Sequence, residues 1–256
     1  MTNAATAIAN KPAWVDLGTK DAAGARAFYA TLFGWDIQVN PDPMYGGYAR
    51  ATLDGKDVAG IGGTMSPEQP TAWSVYIGTD DMDALAQKVQ AAGGHVLMPV
   101  MDVGDQGRMG IFADPGGAAI SAWQRITMGG FETHGANAYA WAELNARNVD
   151  GSLPFYQEAF GWALRPSGDP AFPYTEFQVE GVSVAGATEM SPMAPAEMPS
   201  YWLVYFGVDD VDAATKRAVE AGGKAMLSPM DFPGGRFSMI ADPQGAIFGL
   251  LRMAAA

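Results

Sequence analysis

The chain has 256 residues, of which 48% are hydrophobic and none is cysteine. Its 15 Lys and Arg residues against 28 Asp and Glu residues give a net charge of −13. This balance argues against nucleic acid and anionic membrane surfaces as partners, because binding to phosphate groups needs clustered basic residues. The lack of cysteine excludes disulfides, thiolate metal sites and cysteine nucleophiles.

The chain shows no sequence pattern typical of export or of membrane insertion. Its first residues, MTNAATAIANK, have neither a basic n-region nor a long apolar core, so no signal peptide is predicted. No segment approaches the run of about 20 apolar residues that a membrane-spanning helix needs. We therefore expect a cytoplasmic protein.

One stretch of the chain occurs twice. The segment from Trp14 to Trp35 returns as the segment from Trp141 to Trp162, with the same offset of 127 residues for the Trp, Phe-Tyr and Gly-Trp matches. A constant offset over residues of these types predicts two copies of one structural unit.

Each copy of this stretch reads as a strand, a turn and a helix. Asp21 and Asn148 are suited to cap the N-terminus of the helix, and Gly34 and Gly161 are suited to end it. Apolar residues follow each cap at helical spacing: Ala25, Phe28, Tyr29, Leu32 and Phe33 in the first copy, and Leu153, Phe155, Tyr156 and Phe160 in the second. We interpret these aromatic residues as the core between a helix and a sheet.

A second strand and helix follow in each half, and both end in a Gly-Gly pair. Three β-like segments come after each helix, with Ala-Asp-Pro before the last one, which predicts βαβββ modules. The predicted boundaries are a disordered lead at 1–12, a first domain at 13–127 with modules 13–66 and 71–127, a linker at 128–137, and a second domain at 138–256 with modules 138–191 and 200–253.

The chain resembles the vicinal oxygen chelate superfamily, also called the glyoxalase/bleomycin-resistance/dioxygenase family. The residues that carry the resemblance are Ala27-Phe28-Tyr29, Leu32-Phe33-Gly34-Trp35, the helix from Asp80-Asp81 to Gly93-Gly94, and Asp114-Pro115-Gly116-Gly117. The chain looks most similar to tandem two-domain actinobacterial members, some of which are labelled hydroxylases. The resemblance implies an α+β fold, with four βαβββ modules paired into two glyoxalase/bleomycin-resistance-like domains that have cup-shaped mixed sheets. Whether each cup forms within one half or by exchange of modules between halves stays open.

The resemblance also implies where a metal ion would be held. Metal-bearing relatives place His on the first strand of a module and Glu on the last strand. The six matching places here hold Trp14, Ser74, Ser121, Trp141, Leu203 and Gly249. None of these is a ligand that a transition metal prefers, so we predict no metal and no cofactor.

Alternation along the strands predicts what the two cups contain instead. The first cup would hold Trp14, Asp16, Ser74, Tyr76, Ser121 and Trp123, and the second Trp141, Glu143, Leu203, Tyr205 and Leu251. Each would be an apolar, aromatic hollow with one carboxylate and one phenol, which is typical of ligand pockets.

The two carboxylates are the candidate catalytic groups. A buried, ionised Asp16 or Glu143 needs a partner, water or a function, because burial of an unpaired charge is costly. One interpretation is a structural hydrogen bond to Tyr76 or Tyr205, or to backbone across the sheet. The other is a general base or an anchor for a ligand hydroxyl or amine. Arg108 and Arg236 are candidate countercharges and ligand contacts, or else surface charges.

Three functional hypotheses follow. The first is a metal-free monomer or homodimer that binds an apolar or aromatic small molecule in one or both cups. The second is a metal-independent enzyme, of the hydroxylase- or lyase-labelled type, that acts on a secondary metabolite with Asp16 or Glu143 as acid or base. The third is a metal-dependent glyoxalase or dioxygenase.

Overall fold

The structure is a computed structural model, and it describes residues 9–133 and 135–254. The helices are α1 (Ala22–Phe33), α2 (Met82–Ala91), α3 (Val149–Phe160) and α4 (Val211–Glu220). The strands are β1 (Pro12–Thr19), β2 (Asp36–Val39), β3 (Ala49–Leu53), β4 (Lys56–Gly63), β5 (Ala72–Gly78), β6 (His95–Val103), β7 (Gly107–Ala113), β8 (Ala119–Arg125), β9 (Tyr139–Ala146), β10 (Ala163–Pro166), β11 (Thr175–Val179), β12 (Val182–Glu189), β13 (Tyr201–Gly207), β14 (Lys224–Phe232), β15 (Gly235–Ala241) and β16 (Ile247–Met253). Each helix within these ranges is too short or too polar to cross a bilayer.

The strands form two mixed sheets of eight strands each, which confirms the predicted α+β class. Their orders are β2-β3-β4-β1-β5-β8-β7-β6 and β10-β11-β12-β9-β13-β16-β15-β14. In each module the first strand pairs in parallel with the last, as β1 does with β4 and β5 with β8. The pairing of strands therefore stays within each half of the chain.

The predicted helix ends are confirmed. The Asp21 carboxylate accepts a hydrogen bond from the Gly24 N–H at 2.9 Å, and the Asn148 side-chain oxygen accepts one from the Gly151 N–H at 3.0 Å. Gly34 ends its helix in the left-handed region with φ of 72°, as Gly161 does with φ of 68°. A residue with a Cβ would be strained at both of these positions.

Contacts divide the chain into two compact units that each combine segments from both halves. Among the described residues, one unit contains 15–74, 129–133, 135–141 and 203–254, and thus the first and fourth modules. The other contains 9–14, 75–128 and 142–202, and thus the second and third modules. Each unit has its own aromatic core.

In the unit with the first and fourth modules, the helix α1 packs its aromatic face on strands of the fourth module. The rings of Phe33 and Phe206 lie 5.1 Å apart between centroids, and those of Tyr29 and Phe248 lie 5.5 Å apart. In the other unit, Tyr156 of α3 lies 5.4 Å from Trp202. This confirms the predicted core role of the repeated Phe-Tyr pair, because all of these rings are buried.

The segments before β1 and β9 dock in the same way in the two units. The Trp162 indole N–H donates to the Asn10 carbonyl at 2.7 Å, and the Trp35 indole N–H donates to the Asn137 carbonyl at 2.7 Å. Of the predicted lead, residues 1–8 lie outside the described residues, whereas Ala9 and Asn10 pair with Gly78.

A buried Trp–Tyr–Asp hydrogen-bond chain occurs once in each unit. The Trp73 indole N–H donates to the Tyr29 hydroxyl at 2.8 Å, which donates to the Asp242 carboxylate at 2.9 Å. The same order appears in the other unit, from Trp202 to Tyr156 to Asp114, with distances of 3.0 and 2.9 Å. The Asp of each Asp-Pro turn is thereby joined to the helix of a module from the other half.

Burial and the neighbouring carboxylate together disfavour ionisation of these two phenols. Burial is the larger cause that raises the pKa of Tyr29 well above its usual value, and the charge of Asp242 raises it further. Burial and then Asp114 raise the pKa of Tyr156 in the same way. Both tyrosines therefore remain protonated donors in the folded chain at pH values where a free phenol ionises.

Stability should consequently fall at alkaline pH. A tyrosine in an unfolded chain ionises near pH 10, with the approximate model-peptide value as reference. Above that pH the unfolded state binds fewer protons than the folded state. Each buried tyrosine then lowers the free energy of unfolding by about 1.4 kcal/mol per pH unit, whereas its contribution is fully present below about pH 10. Denaturant unfolding across this range measures the slope.

The matched variants are Tyr29→Phe and Tyr156→Phe, each of which should reduce that slope by about 1.4 kcal/mol per pH unit. Tyr45→Phe, at a side chain that is not buried, is the control and should leave the slope as it is. Wild-type slopes in both buried-site variants would contradict the prediction.

Candidate functional site

The helices cover one side of each sheet. The predicted ligand-contacting residues other than Arg108 and Arg236 lie on the other side, which we call the open face. In β8 the Gln124 amide is bound to the start of α2, where it accepts from the Met82 N–H at 3.1 Å and donates to the Asp80 carbonyl at 3.0 Å. Because side chains alternate along a strand, Ser121 and Trp123 point to the open face.

Strand register adds neighbours to Ser121 and Trp123. Tyr76 and Ile111 pair with Ser121, and Met109 pairs with Trp123. Paired residues of adjacent strands point to the same side of a sheet. We call this set, Tyr76, Met109, Ile111, Ser121 and Trp123, the Trp123 face. Its aromatic, thioether and hydroxyl groups lie within the unit of the second and third modules.

The Trp123 face is more deeply buried than an uncovered sheet surface usually is. Tyr76 is 5% exposed, Ser121 2% and Trp123 6%. The indole N–H of Trp123 has no hydrogen-bond partner among the described residues. The indole ring lies against Gly107, at which a Cβ would come within 2.9 Å of Trp123 Cε2.

The fourth module carries the corresponding Tyr205 face, and its packing differs. Tyr205 pairs with Gly249, and Phe237 pairs with Leu251. The Tyr205 ring lies directly on Gly249, where any Cβ would collide with it. Ser121 already has a Cβ at the matching place, so Tyr76 cannot adopt the position of Tyr205. Leu203 is fully buried in β13, and Leu251 is 7% exposed.

Asp16 lies on the open face of the first module beside a phenol and an amide. It pairs in register with Gly60. A Cβ on Gly60 would overlap the Tyr48 hydroxyl and would lie 3.1 Å from the Asp16 Cβ, so both side chains lie over this glycine. Two residues along β1, the Gln69 Nε2 lies over Gly18 in the same manner, at 3.1 Å from the place of a Cβ.

Glu143 has a similar environment in the third module. It pairs with Gly186, over which the Tyr174 hydroxyl lies. The Asn145 Nδ2 donates to the Glu143 Oε1 at 3.3 Å. Tyr201 is also near, because the charge of Glu143, after the larger effect of burial, raises the pKa of this phenol.

A tyrosine hydroxyl thus lies over the glycine paired with each carboxylate. A carboxamide binds Glu143, whereas the Gln69 carboxamide lies over Gly18, two residues along the strand from Asp16. Neither Asp16 nor Glu143 is fully buried, and Trp141 and Ser74 are half-buried as well, whereas Trp14 is 4% exposed. A partly exposed carboxylate of this kind can bind a ligand hydroxyl, or it can transfer a proton to or from a ligand carbon or oxygen.

Arg108 and Arg236 lie on the helix side of their sheets. Arg108 donates to Asp83 of α2 at 2.8 Å and lies 3.3 Å from Asp102. Arg236 donates to Asp212 of α4 at 2.7 Å and to Asp231 at 2.8 Å. Arg108 also pairs in register with Gln124, which contacts α2. The two guanidinium groups therefore neutralise helix and sheet-edge carboxylates.

The donor chemistry of the open faces does not fit a catalytic metal ion. Of the six places that the family resemblance assigns to metal ligands, two hold serine and four hold Trp, Leu or Gly. Across residues 9–133 and 135–254, no three His, Asp or Glu side chains cluster closely enough to hold a metal ion. No chemical step can be derived through a metal here.

Sequence reasoning did not single out Tyr48, Tyr174, Gln69, Asn145 or Tyr201. The sequence does contain a signal for the two tyrosine hydroxyls that lie over glycine, because Tyr48 and Gly60 recur as Tyr174 and Gly186 with one common offset. It contains no such signal for the carboxamides of Gln69 and Asn145. Gln69 comes from the loop before β5, whereas Asn145 comes from β9 itself, so equivalent groups occupy unrelated sequence positions.

Comparison with known proteins gives consistent matches along the chain. The family model described as "Glyoxalase/Bleomycin resistance protein/Dioxygenase superfamily" matches residues 11–122 and again 138–250. "Putative glyoxylase CFP32" of Mycobacterium tuberculosis is 41% identical over 250 residues, which cover 95% of each chain. Anthracycline biosynthesis protein DnrV of Streptomyces peucetius is 38% identical, with coverage of 94% of this chain and 93% of that protein.

A solved structure with a similar fold is the Mn(II)-bound glyoxalase from Novosphingobium aromaticivorans. It has a TM-score of 0.68 and 19% sequence identity, and the match covers 94% of this chain and 81% of that chain. At this identity the likeness concerns the fold alone.

The packing of Tyr48 over Gly60 is testable by substitution. Gly60→Ala should lower the free energy of unfolding by about 1–3 kcal/mol, the usual cost of overpacking, because the new methyl group displaces the Tyr48 hydroxyl. Gly63→Ala on the same strand is the matched control, since nothing lies within 4 Å of a Cβ there. Denaturant unfolding of both variants measures the difference.

A double substitution separates this contact from a general effect on the strand. In a Tyr48→Ala background the cost of Gly60→Ala should largely disappear, because the clashing ring is gone. An equal cost in both backgrounds would show that Tyr48 does not lie over Gly60.

Proposed function

Since this chain belongs to the Glyoxalase/Bleomycin resistance protein/Dioxygenase superfamily, we propose that it binds an apolar or aromatic small molecule on the open faces of its sheets, without a protein-bound metal ion. The observation that carries the proposal is the Trp123 face. Its aromatic rings, thioether and two hydroxyls are brought together by strand register and are buried although no helix covers them. A largely apolar surface with few polar groups is the usual composition of a small-molecule site.

The net charge of the chain indicates which charge the ligand should carry. With a net charge of −13, the protein repels anions over long range. A neutral or cationic aromatic compound is therefore the better ligand. We propose a cytoplasmic location for this activity, in agreement with the expectation from the sequence.

The first experiment is a titration with a neutral fused-ring compound, 1,8-dihydroxyanthraquinone, followed by protein fluorescence and thermal denaturation. A ligand at 100 times its dissociation constant stabilises the folded state by about 2.7 kcal/mol, so the melting temperature should rise with the concentration of the compound. Tyr76→Leu removes a ring from the Trp123 face while it keeps an apolar side chain, and it should weaken binding at least several-fold.

Tyr205→Leu is the matched variant in the fourth module. If each sheet binds independently, each of the two variants should remove only its own share of the bound compound. Unchanged affinity and stoichiometry in both variants would contradict binding at the open faces.

A specific observation favours a second function, a metal-independent enzyme that acts on a secondary metabolite. Asp16 and Glu143 each pair with a glycine that a tyrosine hydroxyl covers, and Asn145 binds Glu143, so neighbouring groups can hold a carboxylate in place while it accepts a proton. The relative DnrV is named an anthracycline biosynthesis protein. In this hypothesis one carboxylate is the base, and the nearby tyrosine stabilises or protonates the product oxygen.

Asp16→Asn and Glu143→Gln distinguish the two functions. For an enzyme, the variant at the active carboxylate should lose turnover by at least about 100-fold, the usual contribution of a general base, and should still bind the compound. For a binding protein, mass spectrometry detects no conversion by the wild type, and the variants change affinity only. Near-stoichiometric metal in protein purified without chelator would instead favour a metal-dependent glyoxalase or dioxygenase.

A further inference from the structure

The indole N–H of Trp123 is a buried donor that the protein itself leaves unused. Among the described residues, the other buried side-chain atoms without a partner are the Tyr139 hydroxyl and the Gln244 Oε1. Gln244 is still anchored, because its Nε2 donates to Asp21. The Tyr139 ring packs on Phe131, with 5.5 Å between the ring centroids. Trp123 instead lies beside Tyr76 and Ser121, which are candidate ligand contacts. An unsatisfied buried donor is costly, so natural structures rarely keep one without a reason.

We propose that Trp123 donates a hydrogen bond to a carbonyl oxygen of the bound molecule, so that the sheet of the N-terminal half recognises a neutral aromatic ketone or quinone. This inference rests on the proposed binding function and names its ligand class. An indole N–H can only donate, so the ligand must supply an acceptor at this point. Carboxylates are disfavoured by the net charge of −13, which leaves a neutral carbonyl oxygen as the best partner.

The immediate neighbours of the indole suit a flat ligand. Trp123 is paired with Gly78 on one side and with Met109 on the other. Gly78 has no side chain to shield the indole, and a methionine thioether adapts its shape to aromatic ligands. The Trp123 ring leans against Gly107, which also has no side chain.

The fourth module lacks the indole and the thioether at the matching places, although Gly207 matches Gly78. Leu251 replaces the indole and cannot donate a hydrogen bond. Phe237 takes the place of Met109 in the register, and its ring lies 6.4 Å from that of Tyr205. Tyr205 itself covers Gly249. The Tyr205 face therefore offers no donor at the place of the Trp123 indole, and recognition of a carbonyl group is specific to the Trp123 face.

The test uses the full chain with 15N-labelled tryptophan and a pair of probes with one ring skeleton, 1-tetralone and tetralin. The chain has seven tryptophans, and Trp123→Phe identifies the resonance of interest by its disappearance. With 1-tetralone the Trp123 indole proton should move downfield, whereas tetralin, which has no oxygen, should cause no such shift. The Trp35 indole, already bound to the Asn137 carbonyl, is an internal control that should stay in place.

Affinity gives an independent readout. Trp123→Phe should weaken binding of 1-tetralone roughly tenfold more than it weakens binding of tetralin, because only 1-tetralone loses a hydrogen bond. If 1-tetralone binds while the Trp123 resonance and the variant's affinity do not change, the inference is wrong although the proposed function stands. If neither probe perturbs any resonance up to its solubility limit, the proposed function fails, and this inference fails with it. The wild-type spectra decide the matter even where the variant folds poorly.

Discussion

The Trp–Tyr–Asp hydrogen-bond chain is the interaction on which the rest of each unit depends. It joins the helix of one module, a strand that follows it, and the Asp-Pro turn of a module from the other half: Tyr29 to Trp73 and Asp242, or Tyr156 to Trp202 and Asp114. Each carboxylate also accepts from backbone N–H groups, as Asp114 does from the Ala118 N–H at 2.8 Å. The helix can therefore pack on only one side of the strands.

This constraint explains why the open faces carry the candidate chemistry. The helix side uses its aromatic residues for packing and its charged residues, Arg108 and Arg236, for ion pairs with helix aspartates. The opposite side of each sheet carries polar groups that the helix packing does not use, such as the Trp123 indole N–H. A scaffold that needs one sheet face for stability leaves the other available for a ligand.

Local sequence patterns were sufficient to predict the helices, the strands and their caps. They were not sufficient to predict which distant residues these elements contact. Caps such as Asp21, the paired Phe-Tyr residues and the four-fold βαβββ order follow from short-range rules, and the structure confirms them. The partner of Tyr29 lies 213 residues away, and no periodicity encodes such a distance. The helix-side position of Arg108 depends on the register of β7 against β8, which a single strand does not reveal. The amide of Gln69 reaches Gly18 from a loop, so spacing could not indicate it.

The two halves share a backbone and differ in the groups that a ligand would meet. Asp16 corresponds to the longer Glu143, Gly18 to Asn145, Ser121 to Gly249 and Trp123 to Leu251. The shared residues are those that packing and turns require, whereas the differences gather on the open faces. A second copy that only stabilised the first would need no polar group there, yet Glu143 is combined with Asn145, and its charge reaches Tyr201. The two sheets therefore present different groups on their open faces: an indole N–H and an aspartate on the first, and a glutamate with an asparagine on the second.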